Sequence, residues 1–200
     1  MRKALAWGVA LVAVFLLIGL WVRDGVPWID STVADAVGTS YENDKTILTL
    51  TNIFGPVVPI VAGVAIAALC VIAWLRDRNW EAGVLLRSLI VLLACRAVSL
   101  FKDVFVRARP RIYPDYAYPS GHTVSVASVA FTGVVLCGWF ARRALPWVIG
   151  LAVLLTAVAA ACRVLLEVHW LTDVLGAAIG VTGVGLIVAA VFRLIPPRRA

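Results

Sequence analysis

Apolar residues in this chain neither alternate nor keep to one helical face; they run on for about 20 residues at a time between short polar intervals. A run of that length crosses a ~30 Å hydrocarbon layer as a helix rising 1.5 Å per residue. Six such runs stand out, over about 4–22, 53–75, 82–101, 122–140, 146–166 and 172–193. Lipid offers no partner to a backbone N–H or C=O, so each run is expected to be helical. The pattern predicts an all-α fold, a six-transmembrane-helix bundle forming a single domain over 1–200.

The first run follows Arg2-Lys3, as a signal peptide would, but it is long and leads into Leu20-Trp-Val-Arg-Asp24 rather than a small-residue cleavage site. A retained helix is therefore expected. The connections Arg76–Glu81 and Ala141–Pro146 are short, so helices two and three, and four and five, should be antiparallel neighbours. Pro56 and Pro59 are expected at the start of the second span, where the helical hydrogen-bond ladder is not yet filled. In the last span Gly176 and Gly180, followed by Gly183 and Gly185, form a close-packing face, within the bundle or between subunits. The interval 23–52 is the longest polar stretch. Trp28, Ile29, Val33, Ala36 and Val37 recur in it at roughly helical spacing, as in a segment lying on the membrane surface, either a plain connector or a lid.

Composition agrees with a membrane protein: 62% of residues are hydrophobic, 14% are charged and the mean hydropathy is +0.99, too few polar residues to cover a soluble surface. Charge placement then sets the expected orientation. With the N-terminus inside, the inner segments carry Arg2, Lys3, Arg76, Arg78, Arg142, Arg143, Arg193, Arg198 and Arg199. The outer segments hold Asp24, Asp30, Asp35, Glu42, Asp44, Asp103, Asp115 and Asp173. This is a positive-inside distribution with both termini cytoplasmic, and Trp21, Trp28, Trp80, Trp139, Trp147 and Trp170 near the span ends suit an interfacial belt. The net charge of +7 follows from topology, with no reason to invoke nucleic acid. Cys70, Cys95, Cys137 and Cys162 lie in apolar runs without zinc-site spacing, as small buried hydrophobes.

Against this background three polar stretches concentrate the chemistry: Lys102 to Arg109-Pro110, Pro119-Ser120-Gly121-His122, and Arg163 to His169 and Asp173. All three fall at the outer ends of spans three to six, on one side of the membrane. His169 and Asp173 are four apart, so a carboxylate can fix the imidazole tautomer and leave the other nitrogen as a nucleophile. Lys102 and Arg109 are seven apart, two turns if the helix continues, and with Arg163 they offer three cations to a tetrahedral oxyanion. Ser120 and the Gly121 amide, near a helix start, direct donors at an anion, and His122 beside them can protonate a leaving oxygen. Taken singly, Lys102, Arg107, Arg109 and Arg111 read as snorkelling anchors and either histidine as an interfacial residue. The loop Tyr113, Tyr116 and Tyr118 with Pro114 and Pro119 sits at headgroup depth, and Arg96, about 9 Å below Lys102, has Glu167, Asp103 or a polar cavity as candidate partners.

These stretches resemble the signature of the type 2 phosphatidic acid phosphatase superfamily, which includes vanadium haloperoxidases: Lys, six residues, Arg-Pro; Pro-Ser-Gly-His; then Ser-Arg, five residues, His, three residues, Asp. Every spacing matches across the core 102–173, with Cys162 standing where the family has Ser. The resemblance implies a lipid phosphatase working through a phosphohistidine, with His169 as nucleophile, Asp173 orienting it and His122 as general acid and base. It implies that Lys102, Arg109, Ser120, Gly121 and Arg163 hold the phosphate, with no metal and no cofactor. The expected partner is a membrane lipid substrate within the bilayer, an undecaprenyl diphosphate in the first place, with phosphatidylglycerol phosphate and phosphatidic acid as alternatives. The expected location is the cell membrane of a bacterium, with an extracytoplasmic site; an oligomer is compatible with the sequence. Readings of other classes are a lipid-headgroup-binding membrane protein without chemistry and, disfavoured by the composition, vanadate-dependent oxidation.

Overall fold

The computed structural model describes residues 1–41, 43–112 and 114–195, with 52 and 54 in backbone only; Glu42, Tyr113, Arg198 and Arg199 lie outside the described residues. The fold is all-helical, and among the described residues six helical segments are long and apolar enough to span a membrane: Arg2–Val22, Lys45–Leu75, Asn79–Phe105, Gly121–Phe140, Arg142–Leu165 and Leu171–Val191.

The first helix, α1 (Arg2–Val22), is followed by a short α2 (Trp28–Val37). The second span begins earlier than its hydropathy suggests. Asp44 caps α3 (Lys45–Asn52) by accepting from the Ile47 amide at 2.9 Å, and α3 continues through a π-helical stretch, Ile53–Val57, into α4 (Val58–Leu75). Pro56 is therefore inside a continuous helix and not at its start. The wider π turn accommodates a residue that has no N–H and crowds the preceding turn. Helix α5 (Asn79–Ala97) packs antiparallel to α4, then passes through one 3₁₀ turn, Val98–Phe101, into α6 (Lys102–Phe105). The last three spans are α7 (Gly121–Phe140), α8 (Leu145–Leu165) and α9 (Leu171–Val191), with α8 packed on α7 and α9 lying against α1, α5 and α7.

Glycine makes the α1–α9 contact close. A Cβ on Gly183 would stand 2.9 Å from the Val12 backbone nitrogen and 3.0 Å from the Gly8 oxygen. Gly180 likewise receives the Phe15 ring, Gly176 that of Tyr118 and Gly185 that of Phe131. The glycine face of the last span is thus used inside the bundle. Phe15, Phe101, Phe105 and Tyr118 form an aromatic cluster with centroids 5.2–6.1 Å apart. The Tyr118 hydroxyl donates to the Phe15 carbonyl at 2.6 Å. This cluster ties the loop after α6 to α1 and α9, and the polar motifs sit directly above it.

Candidate active site

Lys102 and Arg109 do not converge by helical register. Helix α6 stops at Phe105, and Val106 takes a left-handed conformation (φ 49°) that turns the chain away. The loop folds back instead, with the Ala117 amide donating to the Arg107 carbonyl at 2.9 Å, and Asp115 gathers the two cations. Its Oδ2 accepts from Lys102 Nζ at 2.5 Å and lies 3.2 Å from Arg109 Nη2, while its carbonyl accepts from Arg109 Nε at 2.6 Å. Partial burial works to raise the Asp115 carboxyl, but the hydrogen bond from Lys102 and the charges of Lys102 and Arg109 hold it below the usual range.

His169 is delivered by the turn that ends α8. Glu167 adopts φ 52°, and the Val168 amide reaches back to the Arg163 carbonyl at 3.3 Å, closing a Schellman-type turn on a residue that is not glycine. The same turn leaves the Val168 carbonyl to accept from Arg109 Nη1 at 2.8 Å, and that nitrogen is also 3.3 Å from His169 Nε2. A guanidinium can only donate, so Nε2 is the acceptor and the ring proton belongs on Nδ1. Nδ1 lies 3.4 Å from Asp173 Oδ2, within ion-pair range but short of a well-aligned hydrogen bond, and it makes no hydrogen bond among the described residues. Burial first, then the charges of Arg109, Arg163 and Lys102, push the His169 imidazole well below its ordinary value, so the ring is neutral.

Asp173, fully buried, is held from two sides. Oδ2 accepts from the Trp170 amide at 2.8 Å, capping α9, and Oδ1 accepts from Arg107 Nη1 at 2.5 Å. Arg107 is not a snorkelling anchor; it is 2% exposed. Its Nη1 also donates to Thr172 Oγ1 at 2.7 Å and its Nη2 to Asp30 Oδ2 at 2.7 Å, and its guanidinium carbon lies 5.7 Å from the Trp170 ring centroid. Asp30, on α2, accepts in addition from the Thr172 amide at 2.9 Å and from Thr172 Oγ1 at 2.6 Å. The polar interval 23–52 therefore divides in two. Helix α2 is docked behind His169 by a buried carboxylate, with Trp28 left exposed, while α3 packs on α8 and leads into the π turn, whose Gly55 and Pro56 line the site.

One cleft of about 530 Å³ is lined by Lys102, Arg109, Gly121, His122, Arg163 and His169, together with Gly55, Pro56, Arg96, Ser99, Asp115 and Ser125. Both imidazoles thus face a common space. Ser120 and Asp173 stand behind it: Ser120 is fully buried, its amide donates to the Asp173 carbonyl at 3.2 Å, and its hydroxyl accepts from Thr123. Cys162 is buried on α8, next to Arg163 in the last turn. Gly55 explains the π turn's place, since a Cβ there would run into the His122 ring. Arg96 pairs with neither Glu167 nor Asp103; it donates to Ser125 Oγ at 2.6 Å and to the Gly121 carbonyl at 3.3 Å.

Asp30, Arg107, Asp115 and Gly55 were not singled out as site residues from sequence, and only Arg107, inside the first motif, carried a signal that could have found it. Among the described residues no three His, Cys, Asp or Glu side chains are grouped to hold a metal ion, and Cys70, Cys95, Cys137 and Cys162 are free thiols. The cleft offers a positively charged bowl for a tetrahedral anion, with one neutral imidazole presenting a lone pair and a second nearby.

A family model described as the PAP2 superfamily matches residues 82–196, more than half of the chain and all three motifs. The chain belongs to the PAP2 superfamily. The fold agrees: it is similar to the crystal structure of the first transmembrane PAP2 type phosphatidylglycerolphosphate phosphatase from Bacillus subtilis. That match has a TM-score of 0.76 and 21% identity over 96% of this chain and 98% of the other. At that identity the likeness establishes the PAP2-type membrane phosphatase fold. A search of curated proteins finds no match.

Proposed function

We propose that this PAP2 protein is a metal-independent lipid phosphatase that removes the terminal phosphate of a membrane lipid through a phosphohistidine on His169. The observation that carries the reading is the neutral His169 imidazole, Nε2 towards Arg109 and Nδ1 towards Asp173, in the cleft that also holds Lys102, Arg163, Gly121 and His122. A protein that merely bound headgroups would need the cations but no unprotonated nitrogen among them.

In the first step Nε2 attacks phosphorus, an N–P bond forms, and the bond from phosphorus to the leaving oxygen breaks as His122 gives that oxygen its proton. Asp173 holds the Nδ1 proton and balances the charge on the ring. In the second step His122 takes a proton from water, the water oxygen attacks phosphorus, and the N–P bond breaks to release inorganic phosphate. Lys102, Arg109, Arg163 and the Gly121 amide stabilise the equatorial oxygens, which is the work a metal does elsewhere. Ser120 lies behind the bowl, its hydroxyl accepting from Thr123 and its amide donating to the Asp173 carbonyl.

A lipid substrate is supported by a second cavity of about 540 Å³ between α4 and α5. It is lined by Pro59, Ile60, Gly63, Val64, Leu89, Leu92 and Leu93, and shares Pro56 and Arg96 with the cleft. An acyl or prenyl chain lying there leads straight from the phosphate site to the lipid-facing surface. The substrate class is a polyprenyl diphosphate, phosphatidylglycerol phosphate or phosphatidic acid, and the positive-inside pattern supports an extracytoplasmic site with both termini cytoplasmic. The test is phosphate release from these three lipids by purified protein in the presence of a chelator. Activity that resists the chelator and is abolished by His169→Ala is expected. Phosphate release surviving in His169→Ala overturns the assignment. His122→Ala should lose more activity on phosphatidic acid than on a diphosphate, because a lipid alkoxide needs protonation more than a departing phosphate does.

A further inference from the structure

Arg96 is a cation about two turns inside the span from Lys102, where an ionisable side chain is costly unless it has work to do. Its charge is not neutralised by the protein: no carboxylate among the described residues pairs with it. Among the described residues only Nη1 is engaged, by Ser125 Oγ at 2.6 Å and the Gly121 carbonyl at 3.3 Å, both uncharged acceptors. Nε and Nη2 make no hydrogen bond among the described residues, and three of the five guanidinium protons remain available. Ser125 Oγ itself donates to the Gly121 carbonyl at 2.9 Å, so these two acceptors brace the guanidinium against the rim of the bowl.

Its place is as informative as its charge. Arg96 is one of two residues common to the polar cleft and the apolar groove, so a lipid with its terminal phosphate in the bowl and its tail in the groove must pass it. The part of the lipid that lies there is the part next inside the scissile phosphate. In a diphosphate or a phosphoglycerol phosphate lipid that part carries a second phosphate; in a phosphatidic acid it is an uncharged glycerol ester. Lys102, Arg109 and Arg163 already suffice for one terminal phosphate, and Arg96 is surplus to it.

We infer that Arg96, braced by Ser125 and the Gly121 carbonyl, forms a second anion subsite that binds the inner phosphate of a lipid carrying two phosphate groups. The inference rests on the phosphatase reading above and concerns its selectivity. An ionic hydrogen bond to the inner phosphate should favour two-phosphate lipids by about tenfold to a hundredfold.

The experiment compares kcat/KM on polyprenyl diphosphate, phosphatidylglycerol phosphate and phosphatidic acid for the parent protein, Arg96→Gln, Arg96→Lys and Ser125→Ala in detergent micelles. Arg96→Gln is expected to lower the ratio of two-phosphate to one-phosphate activity at least tenfold, mainly through KM. Arg96→Lys should keep most of the ratio, since a point charge remains. Ser125→Ala should move the ratio the same way by a smaller factor. Whether the ratio falls for the diphosphate, for the phosphoglycerol phosphate or for both identifies the source of the inner phosphate, and each supports the subsite. A ratio within twofold of the parent in folded Arg96→Gln overturns it, as does an equal loss on phosphatidic acid. If Arg96→Gln does not fold, unchanged ratios in both Arg96→Lys and Ser125→Ala, or equal loss on all lipids, overturn it. A parent protein inactive on all three lipids is a failure of the phosphatase reading itself, and is told apart because no ratio can then be formed.

Discussion

Asp30 lies on a helix outside the three motifs, yet it should govern both stability and turnover. Its carboxylate is 1% exposed and accepts from Arg107 Nη2, the Thr172 amide and Thr172 Oγ1, at 2.7, 2.9 and 2.6 Å. Asp30→Asn keeps the shape and one acceptor oxygen, and leaves Arg107 paired with Asp173, so the loss is one buried ionic hydrogen bond, about 2–3 kcal/mol. Arg107→Met is harsher. It removes the cation between two buried carboxylates, and breaking a buried pair costs about 3–5 kcal/mol even when only one partner is stranded. The order should therefore be parent, then Asp30→Asn, then Arg107→Met. Since Arg107 also holds Oδ1 of Asp173, its freedom in Asp30→Asn should loosen the partner of His169 and lower kcat about tenfold with KM nearly unchanged. Denaturant unfolding in mild detergent and steady-state phosphate release measure the two effects. Asp30→Asn within about 0.5 kcal/mol of the parent, a normal surface substitution, with unchanged kcat would refute the claim that α2 is anchored through Arg107 to the Asp173 carboxylate.

Other expectations follow from single contacts. Gly55→Ala puts a methyl group into the His122 ring, so kcat should fall about tenfold to a hundredfold with a modest loss of stability; unchanged kcat would mean that His122 need not occupy its observed position. Asp115→Asn removes the negative charge facing Lys102 and Arg109, and since Asp115 is half-exposed the gain is about 1 kcal/mol, seen as roughly fivefold tighter inhibition by inorganic phosphate; weaker inhibition would show that Asp115 assists phosphate binding. His169 has a folded value below its ordinary 6.5, so the unfolded chain takes up the extra proton first and stability falls as pH drops below about 6.5. In protein carrying His122→Gln, the remaining imidazole should stay neutral and Nδ1-protonated through pH 6.5 by ¹⁵N NMR, and a midpoint at or above 6.5 would contradict the environment described.

What could be read from the chain divides along physical lines. The spans were legible because lipid forces a helix on any long apolar run, and the three motifs because their spacing survives translation into a bundle with its polar ends together. The start of the second span was not, because Lys45–Asn52 is polar enough to look like loop and becomes helix only through its Asp44 cap and its packing on α8. The seven-residue spacing from Lys102 to Arg109 suggested two helical turns, whereas the chain brings them together through a left-handed Val106 and the Asp115 carboxylate. Asp30 was illegible for a general reason. A lone charge in a polar stretch reads as surface, and only the fold reveals that its partner is 77 residues away and equally buried.

The phosphohistidine itself is the most direct test. Brief incubation with lipid labelled in its terminal phosphate, quenching in alkali and peptide mass spectrometry should find base-stable, acid-labile phosphate on His169, absent from His169→Ala and more abundant when His122 is replaced. Phosphate released at the normal rate with no covalent label, or with label on any other residue, would contradict the account.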